Sequence, residues 1–211
     1  MALEVVPPGS EPVGVEVEAV DAVGRAALRV VLGAARRGGR LGTDFGDEPT
    51  FLLLPVSIGD GTIEVDLLSR LLPDAPDYAR GFVGLAYRVQ GTGDSYESVY
   101  LRPLNGTGLN PPPPRDRRGV QYYAYPDWKF DQLREEEPEG GYEGPADIAP
   151  GRWIGFRLEL DGPRVRAYAD GAEILDLIRT KAVPKAGHIG LWVDIGTEGY
   201  FANLRVTRRP G

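Results

Sequence analysis

Cysteine is absent from this 211-residue chain, and histidine occurs once. Without thiols there are no disulfides, thiolate nucleophiles or thiolate metal sites. A single imidazole, His188, cannot build a multi-histidine zinc centre. Nothing like G-x-S-x-G accompanies it as the base of a serine hydrolase, so His188 is expected as an exposed strand-end residue. No apolar run approaches the about 20 residues that cross a bilayer. The opening MALEVVPPGSEPVG lacks the basic start and apolar centre of a signal peptide. As written, the expected location is cytoplasmic, or secreted if a leader has been removed. A basic face is missing too: the net charge is −7 with both signs mixed along the chain. Neither nucleic acid nor an anionic membrane is therefore expected as a partner.

Helical periodicity is nearly absent, with only Phe130 to Glu137 (FDQLREEE) reading as one or two helical turns, and no repeat of about 20–50 residues is found. What fills the chain is short alternating runs separated by Gly-rich turns. Thr62 to Leu67, Phe82 to Gln90 and Val99 to Arg102 alternate in period two, and a GTGDS turn joins the last two as an antiparallel hairpin. Val15 to Val20, Ala26 to Leu32, Phe51 to Val56 and Val120 to Tyr125 read as further strands. So do Trp153 to Leu160, Arg164 to Ala169, Gly187 to Asp194 and Tyr200 to Val206. Two long loops interrupt them: Asn105 to Gly119, with four consecutive prolines, and Pro138 to Pro145. With 42% hydrophobic residues the core can be sizeable. The expected fold is all-β, a two-sheet antiparallel β-sandwich, with residues 1–14 a flexible N-terminal segment and 15–207 a single domain.

Side-chain parity nominates a site. Stacking the three central runs puts Val83, Leu85, Tyr87, Val89, Val99 and Leu101 on a core face. Glu64, Asp66, Arg88, Tyr100 and Arg102 then fall together on the other, over small Gly84 and Ala86. Trp192 from a late strand, Gln121, Tyr123 and Tyr125 from the VQYYAY run, and nearby Trp128 add rings and an amide. Aromatic faces beside planar charged groups suit a polyhydroxylated ligand.

A resemblance sharpens this. LELDGPRVRAYADGAEI resembles the paired strands of laminin-G-like and concanavalin A-like domains, and HIGLWVDIGTEGYFANLRV resembles their closing strands. GTIEVDL followed by FVGLAYRV resembles the start of their central sheet, so the likeness runs in order from Val15 to Val206. Nearer still are bacterial domains named as glycosidases of the 3-keto-disaccharide hydrolase type, although their Phe-Asn-Gly-x-Asp-Leu-x-x-Trp opening is absent here. The resemblance implies a concanavalin A-like jelly roll and a lectin-like domain that holds carbohydrate across a concave sheet.

Two other functions stay open. A glycoside hydrolase acting on a di- or oligosaccharide would use Glu64 as acid, with Asp66 or another carboxylate as its partner. The E-x-D-x-x-E run of concanavalin A-like glucanases is incomplete here, since Ser69 replaces its last glutamate. A non-catalytic structural or protein-interaction sandwich is the third reading. Calcium occurs in such relatives, but the acidic clusters Asp44, Asp47, Glu48 and Asp194, Glu198 carry no dedicated ligand pattern, so no cofactor or metal is expected. Acidic residues from Glu135 to Glu143 could pair with Arg115, Arg117 and Arg118 of the Pro-rich loop to close a lid.

Overall fold

The computed structural model describes residues 3–209. Its strands begin with β1 (Glu11–Val13), β2 (Val15–Ala22) and β3 (Arg25–Leu32); a short helix, α1 (Ala34–Arg37), opens the connection to β4 (Phe51–Ile58). Next come β5 (Gly61–Leu71), the hairpin β6 (Val83–Gln90) and β7 (Ser95–Leu101), then β8 (Val120–Tyr125), α2 (Phe130–Glu136) and the two-residue β9 (Glu143–Gly144). The chain closes with β10 (Ile154–Asp161), β11 (Arg164–Ala169), β12 (Ala172–Leu177), β13 (Gly187–Val193) and β14 (Thr197–Arg208).

These strands form two seven-stranded antiparallel sheets. The front sheet runs β1-β4-β13-β6-β7-β8-β9 and the back sheet β12-β11-β10-β5-β14-β3-β2. Sequence neighbours are thus often not sheet neighbours. β5 sits between β10 and β14 in the back sheet, and residues 72–82 carry the chain across to β6 in the front sheet. The expectation that Glu64 and Asp66 share a sheet with Arg88, Tyr100 and Arg102 is corrected by this crossing. The two runs belong to different layers. The N-terminal segment expected to be flexible is, from Leu3 onward, laid on the sandwich: Leu3 is buried and β1 pairs with β4.

The layers meet through alternate residues. Val83 and Val193 face inward and reach Gly199 of the back sheet, while their neighbours Gly84 and Trp192 face outward. Unusually for a sandwich, the outer face of the front sheet is also dry, because Phe51, Tyr96, Tyr100, Tyr123 and Trp192 fill it with packed rings. Gly84 lies opposite both Tyr100 and Trp192, and its missing side chain lets their rings close to 4.7 Å. A Cβ there would stand 2.4 Å from the Val99 carbonyl oxygen and 2.5 Å from the Tyr100 Cα. Gly84→Ala should therefore destabilise the fold by about 1–3 kcal/mol through overpacking against backbone. An unchanged midpoint in thermal unfolding would show that the sheet has room for a methyl group at this position.

Candidate functional site

What covers the aromatic face is the connection from β3 to β4. Its Asp47 carbonyl accepts from the Tyr96 hydroxyl at 3.3 Å, and its Glu48 carbonyl accepts from the Trp192 indole N–H at 3.0 Å. Lys129, just before α2, closes an ion pair on the Glu48 carboxylate. Two loops from different parts of the chain are thus locked together over the middle of the sheet. Trp192 and Tyr123, nominated as sugar contacts, lie fully buried beneath them. Tyr125 stacks on Tyr96 beside this lock, and Trp128 instead receives the Lys181 ammonium on its ring at 4.1 Å.

At one end of the covered face a cavity of about 300 Å³ remains open. The ends of β7 and β13 supply its floor through Tyr100, Arg102 and Asp194. The β3–β4 connection supplies Phe45 and Asp47, and the crossing between the sheets supplies Tyr78, Arg80 and Phe82. The Pro-rich loop adds Asn105, Arg115 and Arg118, and α2 adds Phe130 and Arg134. Of the residues nominated from sequence, Tyr100 and Arg102 line this cavity.

Arg102 is the structural hinge of the site. Its Nη1 donates to the Glu143 carboxylate at 2.5 Å, and its Nη2 donates to the Tyr100 hydroxyl at 2.8 Å and the Gln121 side-chain oxygen at 3.0 Å. Gln121, also nominated, is buried behind the cavity wall, where its amide nitrogen donates to the Tyr122 carbonyl. Glu143 serves three guanidiniums, those of Arg102, Arg118 and Arg134. Burial alone would push its carboxyl up, but the hydrogen bonds and charges of Arg134 and Arg102 outweigh burial and hold it below the usual range. The Arg118 contact joins the Pro-rich loop to the acidic stretch before β10, through Glu143 at 3.2 Å.

Asp47 and Asp194 have the opposite character. Burial raises Asp47 to about 7, and the nearby Asp194 charge adds to the rise against the Phe130 N–H, Arg102 and Tyr100. Burial likewise raises Asp194 to about 6, opposed by backbone N–H groups of Ile195, Gly46 and Asp47. Those three donors occupy the Asp194 oxygens at 2.7–3.2 Å, so this carboxylate ties the loop to the end of β13. Asp47 takes a left-handed backbone, φ 61°, after Gly46 at φ 90°. That conformation points its carboxylate at the first free N–H of α2, where Oδ2 accepts from Phe130 at 2.7 Å. No group of three or more metal-ligating side chains is assembled among the described residues.

The remaining nominated residues are elsewhere. Arg88 was expected over the groove, but a β-bulge shifts the β6–β7 register between Tyr87 and Gln90, with Arg88 itself at φ 54°. One extra residue reverses parity. Arg88 therefore turns between the layers, onto Glu97 at 2.9 Å and Asp60 at 2.9 Å. Glu64 and Asp66 lie on the outer face of the back sheet. Glu64 is 41% exposed and faces Arg205 at 3.5 Å, while Asp66 accepts from Arg25 and from the Asn203 amide. Tyr100 is in the other sheet, so it does not share a face with Glu64.

No protein-family model and no curated relative matches the chain. Solved structures do. A carbohydrate-binding module, CBM66, from Bacillus subtilis superposes with a TM-score of 0.57 at 16% identity, covering 92% of this chain and 94% of that one. A Parabacteroides distasonis protein provisionally named a glycosyl hydrolase gives 0.54 at 12% identity, over 95% and 99% of the two chains. A Bacillus subtilis protein described as having a galectin-like fold gives 0.51 at 13% identity, over 99% and 100%. The architecture is the concanavalin A-like jelly roll of these neighbours, shared along nearly the whole chain.

Proposed function

We propose that this chain is a saccharide-binding jelly-roll domain whose ligand enters the cavity at the end of the front sheet, not a groove across its middle. The observation that carries the reading is the make-up of the wall. Rings of Tyr78, Phe82, Tyr100 and Phe130 alternate with arginines and with Asn105. The Asn105 side chain is buried, its nitrogen donates to the Arg118 carbonyl at 2.9 Å, and its Oδ1 has no partner. A buried acceptor without a donor is destabilising, by about 1–3 kcal/mol, until a ligand hydroxyl or N–H supplies one. Rings for C–H faces and fixed polar atoms for hydroxyls are what a sugar requires of a pocket this size. That a carbohydrate-binding module shares the fold supports the same reading.

The test is a glycan panel of neutral and acidic oligosaccharides, followed by titration calorimetry on any hit. Tyr78 is half exposed at the cavity mouth, so Tyr78→Ala leaves the core untouched. It should weaken the hit at least tenfold, the loss of about 1.4 kcal/mol expected when one stacking face goes. A hit indifferent to Tyr78→Ala places the ligand elsewhere. A blank panel favours the structural or protein-interaction sandwich.

A hydrolytic reading draws support from one observation, and it moves the acid from Glu64 to Asp47. A cavity carboxyl raised to about 7 can hold a proton at neutral pH and donate it to a leaving group. Its missing element is a second free carboxylate, since Asp194 is held by backbone N–H groups and Glu143 by arginines. Aryl glycoside turnover abolished by Asp47→Asn would establish it, and turnover that survives this change would remove Asp47 from the chemistry.

A further inference from the structure

The charges around the cavity do not balance, and the imbalance bears on which sugar would fit. Five arginines line it: Arg80, Arg102, Arg115, Arg118 and Arg134. Three of them, Arg102, Arg118 and Arg134, share the single carboxylate of Glu143. The other two have no acidic partner among the described residues. Arg80 donates only to the backbone carbonyls of Asp77 and Ala79, each at 2.6 Å. Arg115 sits in the Pro-rich loop, and its Nε is buried without any acceptor. A guanidinium nitrogen removed from water and left unbonded loses the hydration that a protein acceptor would have replaced.

The two unpaired guanidiniums also repel each other. Burial lowers the Arg80 proton affinity first, and the charges of Arg115 and Arg102 lower it further, only partly opposed by the Asp77 carboxylate. Arg118 is lowered by burial and then by Arg134 and Arg102. Asp194 and Asp47 also line the cavity, but they are bonded to the loop backbone and to the first N–H of α2, and among the described residues neither forms an ion pair with Arg80 or Arg115. A wall that gathers five guanidiniums and leaves two without an ion pair among the described residues is a field that attracts an anion into a partly dry site. Guanidiniums, unlike ammoniums, grip planar or tetrahedral oxyanions through paired N–H donors.

Resting on the saccharide reading above, we infer that the ligand is an acidic sugar, its carboxylate or sulfate seated between Arg80 and Arg115 while its ring lies on Tyr78 and Phe82. Asn105 then accepts from a neighbouring hydroxyl. The back sheet offers no rival: its outer depression around Glu64 and Asp66 has each of these carboxylates already facing an arginine.

The experiment is calorimetric titration of the full chain with four series of matched oligosaccharides: uronates (galacturonate, glucuronate and mannuronate oligomers), their methyl esters, sulfated galactan oligomers, and the same galactans without sulfate. At least one acidic series should bind ten times or more tighter than its neutral counterpart, with affinity falling as salt is raised. Arg115→Gln and Arg80→Gln, each first checked for an unchanged unfolding midpoint, should each remove at least tenfold from the acidic ligand. The neutral counterpart should lose less from the same two changes than the acidic ligand does. Preference for uronate over sulfate, or the reverse, identifies the anion. Equal binding of uronate and ester, together with equal binding of sulfated and unsulfated galactan, overturns the acidic-sugar inference and leaves the saccharide reading in place. Binding of sulfate or acetate ions alone, with no sugar bound, overturns both, as does a complete lack of binding.

Discussion

Arg88→Leu should lower stability by about 3–5 kcal/mol, the largest loss expected from any single change away from the cavity. The reason is the partner left behind. Glu97 is 1% exposed, and its two oxygens accept from Arg88 Nη1 at 2.9 Å and from the Tyr122 hydroxyl at 2.8 Å. Removing the guanidinium leaves a carboxylate in the sandwich with one neutral donor. Arg88 also donates to the carbonyls of Gly59 at 3.0 Å and Gly162 at 2.9 Å. It thereby ties the β4–β5 and β10–β11 turns to the front sheet. In thermal unfolding the single variant should melt on the order of 10 °C lower, given about 2–4 °C per kcal/mol for a domain of this size. Arg88→Leu combined with Glu97→Met should recover a good part of that loss, because a buried pair replaced as a unit by apolar side chains is often close to neutral. A single variant within about 1 kcal/mol of the parent, or a double variant weaker than both singles, would refute the role given to this pair.

The same residue shows where reading the chain stops. Alternation located most of the longer strands, because a half-buried strand must place apolar side chains at every second position whatever it pairs with, while the edge strands β1, β9 and β12 went unmarked. Asp161-Gly162 and Asp170-Gly171 marked two hairpin turns for an equally local reason: each needs a left-handed residue, and Gly162, Asp170 and Gly171 have φ of 53°, 49° and 85°. Sheet membership is not local. Nothing in Gly61–Leu71 says that its partners are β10 and β14 rather than the β6 that follows. Parity also fails at a bulge, which leaves no mark in the alternation of Phe82 to Gln90 and still turns Arg88 from one face to the other. Tyr100 and Arg102 were reachable because they stand on and just beyond a regular strand. Asp47, Arg80, Asn105 and Arg115 lie in segments without a period, where no rule assigns a direction. Asp47 and Asp194, joined through a backbone hydrogen bond, are 147 positions apart. The buried aromatic face misled for a related reason: rings on an outer face read as a binding surface unless one knows which loop folds over them.

Acidification from pH 8 to pH 5 should stabilise the protein, and Asp47→Asn should abolish most of the effect. The Asp47 carboxyl titrates at about 7 in the folded state against 3.8 when free of it. Between those values the folded chain binds more protons than the unfolded one, so stability falls as pH rises. Asp47's contribution is complete below about 3.8 and is lost as pH climbs through about 7. Asp194, raised to about 6, adds with the same sign, and the groups around the two are Glu48, Arg102 and Tyr100. Glu143 works the other way, since its depressed carboxyl loses its contribution only under more acidic conditions, below the ordinary glutamate range. The maximum should therefore fall below pH 5, where the gain from the two aspartates meets the loss from Glu143, and stability at pH 8 should be roughly 2–4 kcal/mol lower than at pH 5. Asparagine keeps an acceptor for the Phe130 N–H and never ionises, so the variant should melt above the parent at pH 8, with the gap narrowing at pH 5 and closing only as pH approaches about 3.8. A parent midpoint that is level or rises from pH 5 to pH 8 would mean that these two carboxylates are better solvated than their burial beneath the loop implies. A ligand that seats an anion on Arg80 and Arg115 should steepen the same dependence, because its charge adds to the repulsion that already opposes ionising Asp47.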